Sequence, residues 1–139
     1  MAPIASTEHR DGALRPKRSL LWTGRVLNAL PLLALTMSAT MKLSHAPDFV
    51  AMWTGKLGWP EGSLTSIGLL ELAVVAVHLV PRASLVGAAL ITAYLGGAVS
   101  AHVRIGDAFV VPVVLGVLLW VGFALRDERV RALVLPRRS

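Results

Sequence analysis

Nineteen consecutive residues, Ala83 to Ala101, carry no charged side chain. At about 1.5 Å per helical residue such a run crosses the roughly 30 Å hydrocarbon core of a bilayer. Three further apolar runs share the chain: Ser19 to Met41, broken by Arg25; Ser63 to Val80, holding Glu71 and His78; and Phe109 to Leu125. Each run has a length of about 17–23 residues, and the connections Pro81-Arg82 and His102 to Ala108 are short, which predicts antiparallel neighbours and four transmembrane helices. Composition agrees, because 55% of the chain is hydrophobic and 16% charged, where about 25% charged is usual for soluble domains. An ordinary soluble globule is excluded. The expected architecture is an all-α integral membrane bundle.

The segment between the first two runs has a different character. Phe49, Val50, Trp53 and Leu57 recur at helical spacing, Pro47 suits a first helical turn, and Gly58 is a natural stop. This predicts a short amphipathic helix lying on the bilayer surface in the first outer loop. The first run exceeds the 7–15 apolar residues of a cleaved signal peptide and passes into Lys42 without a small-x-small site, so it reads as a retained span. Residues 1–18 are polar, contain two prolines and end in Arg15, Lys17 and Arg18, as expected of a disordered basic tail. The membrane domain then covers residues 19–133, with a second basic tail over 134–139.

The net charge of +6 first suggests an acidic partner. Position argues otherwise, because the basic residues cluster at the ends of apolar runs. Arg10, Arg15, Lys17, Arg18, Arg82 and the five arginines from Arg126 onward fall on one side, while Lys42, Lys56 and Arg104 fall on the other. The positive-inside rule then puts both termini in the cytoplasm of a multi-pass protein, and the excess of eleven arginines over three lysines points to a bacterial genome and so to an inner membrane. Trp22 lies at one boundary, and Trp53 and Trp59 at the other, as an interfacial belt requires. The expected partner is the lipid bilayer and not nucleic acid. The absence of cysteine excludes disulfides, thiolate nucleophiles and iron–sulfur ligation.

Glu71 is the principal candidate for chemistry. It lies midway along the second run, and ionisable residues at that depth are costly and default to functional candidates. The competing reading is an interhelical hydrogen bond with no further role. Tyr94, at similar depth on the third run, can reach it. Arg25, Asn28, Thr36 and Thr40 share one face of the first run and predict an inward polar stripe, although Arg25 is also placed to snorkel. His78 follows Glu71 by two turns on the same face, either lining one cavity with it or sitting at the interface near Arg82. Lys42, His102 and Arg104, with His45, make the outer rim basic, either to attract an anionic head group or as ordinary anchors. Trp120 either stacks on Arg25 or fills the core. Ala89, Ala93, Gly96, Gly97 and Ser100 give the third run a line of small residues expected to let helices pack closely. No two histidines share a helix at ligand spacing, so no metal or haem site is expected.

The order of short segments adds a resemblance. Met41-Lys42-Leu43, Leu57-Gly58-Trp59-Pro60, Gly68-Leu-Leu-Glu71-Leu, Leu79-Val-Pro81-Arg82, Tyr94-Leu-Gly96-Gly97-Ala98, His102-Val-Arg104, and Trp120 followed by Leu125-Arg126-Asp127 resemble the DoxX-like family of small bacterial membrane proteins. The resemblance covers about residues 19–133. It implies a four-helix membrane bundle, emphasises Lys42, Glu71, Gly97 and His102, and carries over no metal or haem ligand set. It also implies a link to quinone-linked oxidoreductase systems. The leading expectation is therefore an accessory membrane subunit, without catalysis of its own, that binds a quinone or other lipid-like molecule in a cavity lined by Glu71. It would bind no cofactor covalently and would pair with oxidoreductase subunits or a second copy of itself. The alternatives are a small proton-coupled transporter built around the buried glutamate, and a purely structural or assembly protein.

Overall fold

A computed structural model describes residues 18–134, and within them every apolar run becomes one helix. In chain order the helices are α1 (Arg18–Leu43), α2 (Pro47–Ala51), α3 (Ser63–Leu79), α4 (Ser84–Arg104), α5 (Val110–Arg126) and α6 (Glu128–Val134). No strand occurs among the described residues. Two helices, α1 and α4, are long and apolar enough to cross a membrane; α3 and α5, of 17 residues each, are shorter apolar helices. Apart from Arg18 and Val134, both helical, the two expected tails lie outside the described residues.

Helix α1 packs against α5 and α3, and α4 closes the bundle by packing against the same two. Between them Leu32, Leu35, Val74, Val75, Ala88, Ile91, Leu119 and Phe123 form the core. The outward faces are apolar as well, with Leu33, Met37, Val86, Val111 and Val117 all exposed. A bundle apolar inside and outside is compatible with a lipid surround.

The helices approach most closely at glycines other than those expected. A Cβ at Gly122 would collide with the Asn28 backbone, one at Gly24 with Leu125 and the Gly122 carbonyl, and one at Gly87 with the His78 backbone. At Gly96 and Gly97 a Cβ would meet nothing, and Ala89, Ala93 and Ser100 are exposed too. Within the single chain, close packing therefore runs through Gly24, Gly87 and Gly122. The small-residue line on α4 faces outward, because Ala88, Ile91 and Leu95 supply the buried face of that helix.

The expected amphipathic helix is present with Pro47 in its first turn, and it continues as one π-helical turn over Met52–Lys56. Gly58 ends it at φ +66°, a left-handed conformation that favours glycine. Its apolar face is turned to protein, not lipid. Trp53 and Leu57 are buried with Leu64 of α3, and the Trp53 indole N–H donates to Ser63 Oγ at 3.0 Å.

The segment after Arg126 is more than a basic tail. At Asp127 the backbone turns extended, and the Asp127 carboxylate accepts from the Arg129 backbone N–H at 2.9 Å, which caps α6. Val130, only 2% exposed, anchors that helix in the core.

Candidate functional site

Glu71 projects from α3 into the bundle, and it is not alone there. Lys42, one residue from the end of α1, turns inward and places Nζ 2.8 Å from Glu71 Oε2. Both side chains are buried, at 5% and 1% exposure, so the pair is shielded from water. Nζ also donates to Ser38 Oγ at 2.6 Å, one turn back on α1. Above it, the rings of Phe49 and Trp53 lie 5.4 and 5.9 Å from Nζ, close enough for cation–π attraction. The amphipathic helix is thus an aromatic lid on the ion pair. Gly68 makes the approach possible, since a Cβ there would press on the Lys42 and Leu43 side chains. The phenol of Tyr94 adds a polar neighbour to Glu71, as expected from depth.

A second polar cluster lies at the opposite end. His78 is 1% exposed. Its Nδ1 is 2.8 Å from the Ser84 carbonyl, and its Nε2 is 3.1 Å from Asn28 Oδ1 and 3.3 Å from Arg126 Nη2. With the proton on Nδ1 the ring donates to Ser84 and leaves Nε2 to accept from Arg126. Asn28 donates in turn to the Leu119 carbonyl at 3.0 Å, tying α1 to α5. Phe123 packs edge-on against the imidazole at 5.1 Å. His78 is therefore a fully buried hydrogen-bonding hub and not an interfacial residue.

Glu71 and His78 do occupy one face of α3, but they do not line a common cavity. Seven residues separate them, about 10 Å of helix. Val74, Val75, Leu32, Leu35 and Ile91 fill the layer between.

Several expected partners lie elsewhere. Of the proposed inward stripe on α1 only Asn28 is buried. Arg25 is exposed and stacks on Trp22 at 5.6 Å, not on Trp120. Thr36 and Thr40 are exposed too, their hydroxyls donating to the carbonyls one turn back at 2.8 Å. That local bond satisfies a hydroxyl on an outer face. Trp120 donates to Thr92 Oγ1 at 2.8 Å and packs on Phe123.

The basic rim is occupied by internal contacts. Lys42 serves Glu71, Arg104 donates to the Leu57 carbonyl and stacks over Trp59 at 5.0 Å, and Lys56 pairs with Asp107 at 2.7 Å. His102 stands 3.6 Å from the same carboxylate. The Lys56 hydrogen bond, followed by one from the Ala108 N–H, holds the Asp107 carboxyl below its ordinary range. No group of metal-ligating side chains occurs among the described residues.

Apart from these clusters, a groove of about 450 Å³ runs between α4 and α5, lined by Leu95, Gly96, Gly116 and Val117 among others. Thr92 and Trp120 provide its hydrogen-bonding pair. Sequence reasoning missed this groove, as well as Ser38, Phe49 and Trp53 around Lys42. One signal for Ser38 was its i, i+4 spacing from Lys42.

No curated protein and no solved structure matches the chain. The family model of the DoxX-like family does match, over residues 26–122. That span reaches from the first third of α1 to the last turns of α5 and includes both residues of the buried ion pair. With more than half its length matched, and with helices compatible with a membrane protein, the chain belongs to the DoxX-like family.

Proposed function

We propose that the chain crosses a bacterial inner membrane four times, with both termini cytoplasmic, and acts there as a non-catalytic accessory subunit. In this role it takes a quinone or another lipid-like molecule into the groove between α4 and α5. The carrying observation is that groove: about 450 Å³, almost wholly apolar, and walled by exposed residues such as Val113, Val117 and Val121. A molecule arriving from lipid meets no polar barrier, because the two donors in the groove are satisfied within the protein, the Trp120 indole N–H by Thr92 Oγ1 and the Thr92 hydroxyl by the Ala88 carbonyl. The ligand site moves from Glu71 to this groove for a physical reason. The carboxylate is already neutralised by Lys42 and covered by Phe49 and Trp53. The same pairing removes the free carboxylate that a proton-coupled transporter needs.

Four spans are supported by length and surface together. At 1.5 Å per residue, 17 residues cover about 25 Å, the short end of the transmembrane range. Partners under this reading are the bilayer and either an oxidoreductase subunit or a second copy of the chain.

The test uses the full chain in lipid nanodiscs, titrated with a decyl-quinone while tryptophan fluorescence and thermal midpoint are read. Quenching and a raised midpoint are expected for the parent. Gly116→Leu should abolish both, because it fills the groove from a site whose Cβ makes only ordinary contact with Leu95. No response from the parent, or an undiminished one from Gly116→Leu, overturns the groove reading. Orientation is tested separately: a periplasm-active reporter should be silent after Ser139 and active near Gly55.

A further inference from the structure

At the end of the bundle where α1 begins and α5 ends, a pocket of about 240 Å³ opens between the helices. Three guanidinium groups line it, from Arg25, Arg126 and Arg129, together with the carboxylate of Asp127. That carboxylate is committed to Arg129, with Nη2 at 2.8 Å and Nε at 3.2 Å. Among the described residues no carboxylate is hydrogen-bonded to Arg126. Its Nη2 reaches His78, but its Nε is buried and donates to nothing among the described residues. The Asp127 carboxylate attracts the Arg126 guanidinium, and Arg25 lies close enough for its charge to repel it. Three cations share one carboxylate around the cavity, and this excess of positive charge, with one buried donor unused, favours a bound anion.

We propose that this pocket binds a phosphate group, held by Arg126 and Arg25, with Arg129 fixed at its rim by Asp127. A guanidinium presents its donors in a planar fork that matches two oxygens of a tetrahedral oxyanion, so an arginine pair favours phosphate over a simple halide. The Arg126 Nε–H supplies the donor that the protein leaves unused. His78, held by its Nδ1 donation to the Ser84 carbonyl, accepts from Arg126 at Nε2 and keeps that guanidinium from turning away. All three arginines fall outside residues 26–122, so the pocket's cationic groups come from the flanks of the matched span, whereas His78, Leu79, Pro81 and Ser84 of its lining lie within it.

Phosphate can come from two sources, a lipid head group at the membrane surface or a soluble phosphorylated molecule. The experiment uses the full chain in nanodiscs of phosphatidylcholine alone and in discs containing phosphatidic acid, each with and without inorganic phosphate. Thermal midpoint is read throughout. A raised midpoint with phosphatidic acid but not with inorganic phosphate identifies the head group as the source. A rise with inorganic phosphate in phosphatidylcholine discs identifies the soluble one. Arg25→Gln removes a cation from an exposed position without touching the core, and should weaken either response at least tenfold in half-saturating concentration. Arg126→Gln should abolish it, whereas Arg104→Gln, at the other end of the bundle, should leave it intact. No response from the parent to either probe overturns the proposal. So does a response that survives in Arg25→Gln, which holds whether or not Arg126→Gln folds.

Discussion

Removing one member of the Lys42–Glu71 pair should cost far more than removing both. At 2.8 Å and an effective dielectric of about 20, the attraction is roughly 6 kcal/mol, and taking each ion out of water consumes several kcal/mol of that. The pair as a whole therefore contributes little. Losing one partner, however, strands the other, a change that typically costs about 3–5 kcal/mol when the pair is buried. In Glu71→Leu, the Lys42 ammonium keeps only Ser38 and the rings of Phe49 and Trp53. Its flexible stem, one residue from the end of α1, allows partial escape toward water, which reduces the expected loss to about 2–4 kcal/mol. Glu71→Gln still accepts from Nζ and should lose only about 1–2 kcal/mol. The double variant Lys42→Met with Glu71→Leu should lie within about 1 kcal/mol of the parent, as paired apolar replacements often do. Reversible unfolding in mixed micelles, followed by tryptophan fluorescence, gives all the free energies needed for a double-mutant cycle. Additive losses, with a coupling below about 0.5 kcal/mol, would refute the reasoning.

The glycines should divide by contact, not by spacing. Gly122→Ala is expected to cost about 1–3 kcal/mol by forcing α1 from α5, while Gly97→Ala should be neutral or stabilise by up to about 1 kcal/mol by removing backbone freedom; thermal midpoints in detergent distinguish them. Asn28→Leu removes the hydrogen bond from the buried amide to the Leu119 carbonyl that ties α1 to α5, so a loss of about 1–2 kcal/mol is expected in the same assay. The contribution of Asp107, whose carboxyl sits below its ordinary value through the Lys56 hydrogen bond, should be full at neutral pH and disappear as pH falls through that lowered value. An acid titration of stability should therefore be flatter for Asp107→Asn than for the parent, and identical curves would count against the tie.

The helices were legible because uncharged length is a one-dimensional property, and Pro47 and Gly58 mark ends in the same way. The depth of Glu71 was equally readable from its place in the run. Its partner was not. Counting residues puts Lys42 at the helix end and suggests a surface anchor, but a four-carbon stem reaches a full turn inward. Gly96-Gly97 misled for a related reason. In a helix whose every face is apolar, spacing does not say which face meets a neighbour, and Gly24 and Gly122 carry no stronger pattern. Thr36 and Thr40 looked inward only if their hydroxyls lacked the backbone as a partner. Helix α6 was hidden by its charges, with Asp127 as the sole local sign of a cap.

A bilayer that stores an electrochemical gradient is damaged by any protein that lets protons hop across it. Glu71 sits midway along α3 and His78 in its last turn, yet the leucine, valine and isoleucine layer between them leaves about 10 Å with no hydroxyl, carboxylate or imidazole on the buried face of α3. A proton would need a file of several waters through packed hydrocarbon side chains to pass from one group to the other. Under the four-span reading proposed above, the chain can therefore keep both polar clusters and still serve as an electrical insulator.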